Sequence, residues 1–379
     1  MNPSVASVLV FNLGSSSLKV ARFAPGTALA ASRAEIDIRS DDRQGADLLQ
    51  FALQHLPAAG PPTTVCHRVV HGGRLHGPVA LDDEMLARLD GLGVLAPLHQ
   101  PPALALARAG RACWSQARHV AAFDTTWHAG LAEWSRRLPV PQALHDAGVM
   151  RYGFHGLAFQ SAMRQLAQAD AGLAGRRIVL AHLGGGSSLC AVSDGRSVDT
   201  TMGMTPMDGL PMATRSGALD PGVVPFMAKQ LGMSPAQIDH SLWTQSGLLG
   251  IAGSTGDMRQ LLSSEEPRAA LAIDVFVQRV AQGIAAMATS IGGIDALVFS
   301  GGIGNNAAEI RRRVVQLLAW AGLKLDDARN RANRARLDPD GAIVQVWQLT
   351  VDEQLELFLA AQEAGPACEL GGTGEAVPE

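Results

Sequence analysis

Two stretches of this chain share one pattern of apolar and polar positions. Residues 8–11 are apolar and run into Asn12-Leu13-Gly14-Ser15-Ser16-Ser17-Leu18-Lys19-Val20-Ala21. Residues 178–181 are apolar and run into His182-Leu183-Gly184-Gly185-Gly186-Ser187-Ser188-Leu189-Cys190-Ala191. Each reads as strand, Gly/Ser turn, strand. Further strand-like runs fall at 5–12, 18–23, 65–70 and 120–123 in the first part, and at 178–183, 189–192, 197–201 and 296–300 in the second. Asp194-Gly195 reads as a two-residue hairpin turn. Helical patterns lie between them. Residues 81–95 carry a stripe of Met85, Leu86, Leu89 and Leu92, Ser234-Pro235 reads as an N-cap with proline at the first helical position, and 307–320 follows a glycine-rich turn. Residues 267–291 form a long pattern apolar on nearly every side, which predicts burial in a core or at a subunit interface.

Strands alternate with helices in both halves, and each half opens on the same hairpin. This predicts two α/β domains descended from one unit. The expected boundary lies at 147–151, giving a first domain over 1–149 and a second over 150–352. A helix at about 353–364 is expected to pack back on the first, and a Gly-rich, acidic tail over 365–379 is expected to be disordered.

Composition narrows the classes of partner. A net charge of −4 and 17% charged residues provide no basic field for nucleic acid. Cys66, Cys113, Cys190 and Cys368 are scattered without C-x-x-C or Cys/His ligand spacing, so neither a disulfide framework nor a structural zinc is suggested. The start lacks the basic segment of a signal peptide, and the apolar stretch 271–294 carries Asp274, Gln278, Arg279 and Gln282. A cytoplasmic protein without a membrane span is expected.

Small residues at a hairpin tip let backbone N–H groups and hydroxyls approach an anion, and two facing tips are expected to hold one phosphate chain across a cleft. Neither a P-loop nor a strand-linked G-x-G-x-x-G occurs. After the run 296–300 comes Gly301-Gly302-Ile303-Gly304-Asn305-Asn306 and then a helix, a second place where an anion or nucleoside could lie. Arg68 sits in His67-Arg68-Val69-Val70-His71-Gly72-Gly73, and Arg215 in Thr214-Arg215-Ser216-Gly217. A lone arginine ordinarily makes a surface ion pair. These two have few acidic neighbours in sequence, and a planar guanidinium suits phosphate or carboxylate. Asp124 follows a strand, at the end where α/β proteins place ligand-facing groups. His155 precedes a helix in Gly153-Phe154-His155-Gly156, a setting equally suited to a structural histidine. Asp352 and Glu353 begin the last helix, where acids are favourable in any case.

Taken together these segments resemble the acetate/propionate kinase family of the sugar kinase, Hsp70 and actin superfamily. The likeness runs from Val8 to about Leu357. It rests on the first hairpin, 67–73, Ala96-Pro97-Leu98-His99, Phe123-Asp124-Thr125, Arg151-Tyr152-Gly153-Phe154-His155-Gly156, 182–188, 197–203, Thr214-Arg215-Ser216-Gly217, 246–251 and 301–306. It implies two duplicated ribonuclease H-like (actin-like ATPase) domains with a catalytic cleft between them, acting as a homodimer through the second domain. The implied reaction is reversible transfer of the ATP γ-phosphoryl group to a small carboxylate, a phosphotransferase with a carboxyl acceptor. ATP/ADP is the co-substrate and Mg²⁺ (or Mn²⁺) the metal.

By the same resemblance Asn12 and Glu353 would place the metal. Arg68 and Arg215 would bind the carboxylate and the moving phosphoryl, His155 would contact it in the transition state, and Asp124 would orient the arginines or metal-bound water. Ser15, Ser17, Lys19, His182, Leu183, Gly184, Gly185, Gly186, Asp257, Met258, Arg259, Gly302, Ile303, Gly304 and Asn306 would line the nucleotide. Val70, Leu98, Phe154 and Pro206 would form the apolar pocket for the acyl methyl group. Three departures stand out. Gly185 replaces an asparagine usual in the family, Leu157-Ala158-Phe159 replaces Thr-Ser-His, and Val351-Asp352-Glu353-Gln354 replaces Thr-Asn-Glu-Glu. Propionate or butyrate as the acid, a nucleotide-binding regulator without turnover, and a phosphatase of the same superfamily are the competing readings.

Overall fold

The computed structural model describes residues 7–14, 17–24, 27–38 and 43–364. The chain divides into two compact units, the first comprising Met1–Gly72, Gly77–Phe123 and Gln354–Glu379, the second Gly73–His76 and Asp124–Glu353. The change between Phe123 and Asp124 comes earlier than the 147–151 segment favoured by the sequence, so Asp124 belongs with the second unit. The expected tail at 365–379 lies outside the described residues.

The first unit is built on a six-stranded sheet of β1 (Val8–Leu13), β2 (Ser17–Phe23), β3 (Ala30–Asp37), β4 (Thr64–Val69), β5 (Val79–Ala80) and β6 (Arg118–Phe123), in the order β3-β2-β1-β4-β6-β5. The second has five strands, β7 (Ile178–Leu183), β8 (Ser187–Ser193), β9 (Arg196–Thr200), β10 (Ala296–Ser300) and β11 (Gln345–Gln348), in the order β11-β10-β7-β8-β9. Three antiparallel strands followed by two parallel ones recur in both: β1 pairs with β2 as β7 does with β8, and β1 lies parallel to β4 as β7 does to β10. The duplication legible in the hairpins therefore extends through the sheets. Three elements outside the expected strands complete it: β3, β5 and β11. Alanine, serine and charged residues in β3 and a glutamine-rich β11 hide the alternation that marks a strand.

Strand alternation decides what each face buries. In the first sheet Leu9, Phe11 and Leu13 of β1 meet Leu48 and Leu49 of the helix Gly45–Leu53 and Ala103 and Leu106 of the helix Gln100–Cys113. The last helix, Glu353–Glu363, belongs to this unit from Gln354 onward; Phe358 stacks on Phe23 at 4.5 Å, and Arg118 donates to the carbonyls of Ala361 and Ala364.

In the second sheet Val179, Ala181, Leu297 and Phe299 face the helix Pro267–Ser290 through Ala272, Phe276, Val280 and Ile284. This helix is long and apolar enough to cross a membrane by length and composition alone. It is amphipathic in place, with Arg268, Gln278, Arg279 and Gln282 exposed, where the sequence had suggested an apolar surface on nearly every side. On the opposite face Leu180, Cys190 and Val298 pack against Phe159, Ala162 and Leu166 of the helix Gly156–Ala169. The predicted turn forms as expected: Asp194 and Gly195 both have positive φ (50° and 70°) between Ser193 and Arg196. The helical pattern at 81–95 resolves into the helix Asp83–Asp90 and a 3₁₀ turn at Gly93–Leu95, and that at 307–320 into the helix Ala308–Leu317 and a 3₁₀ turn at Ala319–Ala321; the glycine-rich stretch before it forms a short helix of its own, Gly301–Asn306.

Candidate active site

In the first unit the end of β1 brings Asn12 beside Arg68. The parallel register Phe11↔His67 sets these two residues next to each other on one face. Arg68 Nη1 donates to the buried Asn12 Oδ1 at 3.1 Å and to the Leu13 carbonyl at 3.5 Å. The hairpin tip is closed by Gly14 N–H to the Ser17 carbonyl at 2.9 Å; Ser15 lies outside the described residues. Lys19 pairs with Glu35 across β2 and β3 at 3.5 Å. After β4 the chain is clamped by Gln100, whose amide exchanges two 3.0 Å hydrogen bonds with the backbone of His71. Val70 is buried there, while Leu98 is 45% exposed.

In the second unit the sheet aligns three polar side chains. Register places Ser188 and Ser300 on either side of His182, all on the face covered by the helix Gly156–Ala169. Ser300 Oγ lies 3.2 Å from His182 Nδ1. His155, at the start of that helix, sits 2.8 Å by Nδ1 from Ser188 Oγ, and its ring is tilted against His182 at 4.9 Å. His155 holds a left-handed backbone (φ 59°), uncommon outside glycine and costing on the order of 1 kcal/mol. Gly156 N–H bonds to the Asp124 carbonyl at 2.9 Å, tying the buried Asp124 to this same turn.

Arg215 reaches the same place from another loop. That loop is fixed by Ala213 N–H to the Gly185 carbonyl (3.1 Å), Ser246 N–H to the Thr214 carbonyl (2.9 Å) and Leu248 N–H to the Met212 carbonyl (2.8 Å). The nearly buried guanidinium donates to the Pro206 carbonyl at 2.6 Å. A Cβ at Gly186 would fall 2.6 Å from Arg215 Nη2 and 3.1 Å from His155 Nε2, so both groups crowd one side of this glycine. Gly185, by contrast, has open space where its side chain would be. Phe159, in place of the family's histidine, is fully buried with its edge toward His182 at 6.5 Å.

The second glycine-rich turn lies against the first. A Cβ on Gly301 would come within 2.6 Å of the Leu183 carbonyl, and one on Gly184 within 3.7 Å of Gly302 N. Gly302 is exposed, Ile303 half-buried and Gly304 buried. Asn306 donates to the Gly302 carbonyl at 2.9 Å. The segment is held from behind by Arg311, fully buried, which donates to the Gly304 and Asn305 carbonyls and to Asn330 and Asn333. Burial without a carboxylate partner lowers its pKa to about 10. Asp257 caps the short helix Met258–Ser263, with Met258 buried, and pairs with the exposed Arg259 at 2.6 Å. Glu353 is half-buried at the first position of the last helix, and the preceding Asp352 N–H is held by Ser161 Oγ at 2.8 Å. Among the described residues no three His, Cys, Asp or Glu side chains gather as a metal cage.

The sequence model described as the acetokinase family matches residues 46–357. The chain belongs to the acetokinase family. Its relatives include an acetate kinase from Rhodopseudomonas palustris (strain TIE-1), 44% identical over 77% of this chain and 75% of that protein. Another, from Nitrobacter hamburgensis, is 38% identical over 92% of this chain and 94% of its own. Among solved structures, a propionate kinase from Francisella tularensis superposes with a TM-score of 0.85 at 30% identity, covering 95% of this chain and all of the other. The actin-like ATPase fold inferred from the resemblance is the fold of this family member.

Four residues were not singled out from the sequence: Ser188, Ser300, Gln100 and Arg311. Ser188 had a signal, since counting back across the hairpin from Leu183 and Ser187 pairs it with His182. The others depend on long-range packing that no local pattern carries.

Proposed function

We propose that this chain catalyses reversible, direct transfer of the γ-phosphoryl group of ATP to acetate, forming acetyl phosphate and ADP. The observation that carries the reading is the convergence of Arg215 and His155 on Gly186, at the tip of the second hairpin, in a member of the acetokinase family. An arginine and an imidazole crowding one side of a glycine turn make a place suited to an anion. A transferring phosphoryl group is such an anion, its charge spread over the equatorial oxygens.

Acetate, with a pKa near the ~4 of carboxylate side chains, is ionised at neutral pH and needs no general base. The barrier lies in bringing two anions together. Arg68 is assigned to the carboxylate, Arg215 and His155 to the phosphoryl group, and Asp124 to orienting the site. His182, the tips at 14–17 and 184–186, the 302–306 turn and the Asp257 cap are assigned to the nucleotide. The apolar acyl contacts are Val70 and Leu98 in the first unit, and Phe154 and Pro206 in the second.

Asn12 Oδ1 and the Glu353 carboxylate are hard oxygen donors, a set that suits Mg²⁺, which keeps several waters and takes other ligands from phosphate. The Asn12 oxygen accepts a hydrogen bond from Arg68. When bound, the ion would supply charge neutralisation on the phosphates, and these two residues would hold it.

Propionate is the second reading, favoured by the named activity of the Francisella relative. One methylene in an apolar pocket discriminates by only about 1–3 kcal/mol. The test is trapping of acyl phosphate as hydroxamate over acetate, propionate and butyrate. A kcat/KM highest for acetate supports the assignment, and ATP consumption without hydroxamate for any acid refutes it.

A further inference from the structure

We infer that Ser188 is a positioning residue that holds His155 as its Nε2–H tautomer, making the imidazole a fixed neutral donor to the phosphoryl group. The inference rests on the functional reading above for its consequence, and on geometry alone for the tautomer.

Ser188 lies within β8 and is fully buried. Its hydroxyl has one hydrogen-bond partner among the described residues, His155 Nδ1 at 2.8 Å. Two arrangements satisfy that distance. With the proton on Nδ1, the ring donates to Ser188 Oγ, and the buried serine hydrogen is left without an acceptor among the described residues, which is costly. With Nδ1 bare, the hydroxyl donates to it, the serine hydrogen has its acceptor, and the ring proton sits on Nε2. The second arrangement wins.

Nε2 is also the nitrogen next to Gly186 and the Arg215 guanidinium. The tautomer chosen by Ser188 therefore aims a second N–H toward the place Arg215 already serves. The left-handed turn at His155, the Gly156-to-Asp124 hydrogen bond and the tilted contact with His182 fix where the ring stands; Ser188 fixes which way its proton points. A donor set before substrate arrives costs no reorientation as charge develops. His182 is held by the same device, with buried Ser300 at 3.2 Å from its Nδ1.

The experiment is ¹H–¹⁵N correlation of histidine side chains in the full chain, labelled on histidine and free of substrates, with the His155 signals assigned by a His155→Gln variant. The wild type should show His155 with a protonated Nε2 and an acceptor-type Nδ1. Ser188→Ala should redistribute the tautomers and lower kcat roughly 10- to 100-fold, with both KM values within about 2-fold of wild type. Ser188→Cys keeps the shape with a slightly larger atom and weakens the donor; it should shift the tautomers the same way and carries the test if the alanine variant does not fold. A protonated Nδ1 in the wild type overturns the inference, as does an unchanged tautomer in the variants or a changed one with wild-type kcat. Because the spectra need no substrate, a wrong reaction assignment would leave the tautomer result standing, and a wrong role for Ser188 would leave acyl phosphate formation standing.

Discussion

Arg68 donates to Asn12 at 3.1 Å from the same sheet position that Ser300 occupies beside His182 in the second unit. β1 and β4 pair as β7 and β10 do, so Asn12 corresponds to His182 and Arg68 to Ser300. The equivalent position holds an arginine in one sheet and, in the other, a serine within hydrogen-bond reach of a histidine. On our account this gives the first unit the carboxylate and the second the phosphates.

Arg68→Ala should therefore raise KM for acetate far more than KM for ATP, on the order of 10-fold or greater, since a charge-assisted contact to a carboxylate is worth about 1.5–3 kcal/mol. Steady-state kinetics with each substrate varied in turn decide it. Equal rises in both KM values would contradict the assignment.

Arg215→Ala should lower kcat by roughly 10³-fold with a modest change in KM, the size found for arginines that act on a transferring phosphoryl group. The guanidinium is nearly buried and anchored on the Pro206 carbonyl. Its loss removes a positioned charge that lysine cannot replace in that geometry, so Arg215→Lys should recover little.

Neighbouring glycines should respond in opposite ways. Gly186→Ala would press a methyl group against Arg215 and His155, and kcat should fall at least roughly 10-fold while the thermal midpoint changes little, because the crowded atoms are side-chain ends. At Gly185 the space is open, so Gly185→Asn should fold normally and, by restoring the polar group usual in the family, lower KM for ATP. Kinetics and thermal melts on the two variants check both statements.

Most of the candidate site was legible because the residues proposed for it sit in short Gly- and Ser-rich segments at strand ends. Asn12, Arg68, His155, His182 and Arg215 all stand in such segments, and the two hairpins revealed the duplication. What escaped was decided at long range. β3 and β11 carry too few apolar residues to signal a strand, and Arg311 looks like any surface arginine of an amphipathic helix until Asn330 and Asn333 close over it. Lys19, a nucleotide candidate by resemblance, makes a cross-strand ion pair with Glu35.

Two buried histidines outside the proposed chemistry set the acid limit of the fold. Burial lowers the pKa of His67 to about 3, helped by neighbouring His119, and burial lowers that of His128 to about 4. His67 lies stacked between Phe11 and His119 with neither ring nitrogen hydrogen-bonded among the described residues. Both histidines are neutral when folded and take up protons when unfolded, below the usual value of 6.5. Stability is thus full above about pH 6.5 and falls as pH drops toward 4, by up to ~1.4 kcal/mol per pH unit for each histidine. Urea melts at pH 7 and pH 5 should show the loss, and His67→Phe should reduce it. Equal pH dependence in that variant would contradict the contribution of His67.

The central claim, that a carboxylate oxygen of acetate becomes bonded to the γ-phosphorus of ATP, is tested most directly by ³¹P NMR of a reaction run with ¹⁸O-labelled acetate, ATP and Mg²⁺. The account predicts an acetyl phosphate resonance carrying the isotope shift of a new P–¹⁸O bond, growing in step with ADP. ADP accompanied only by orthophosphate, with no acyl phosphate resonance, would contradict it.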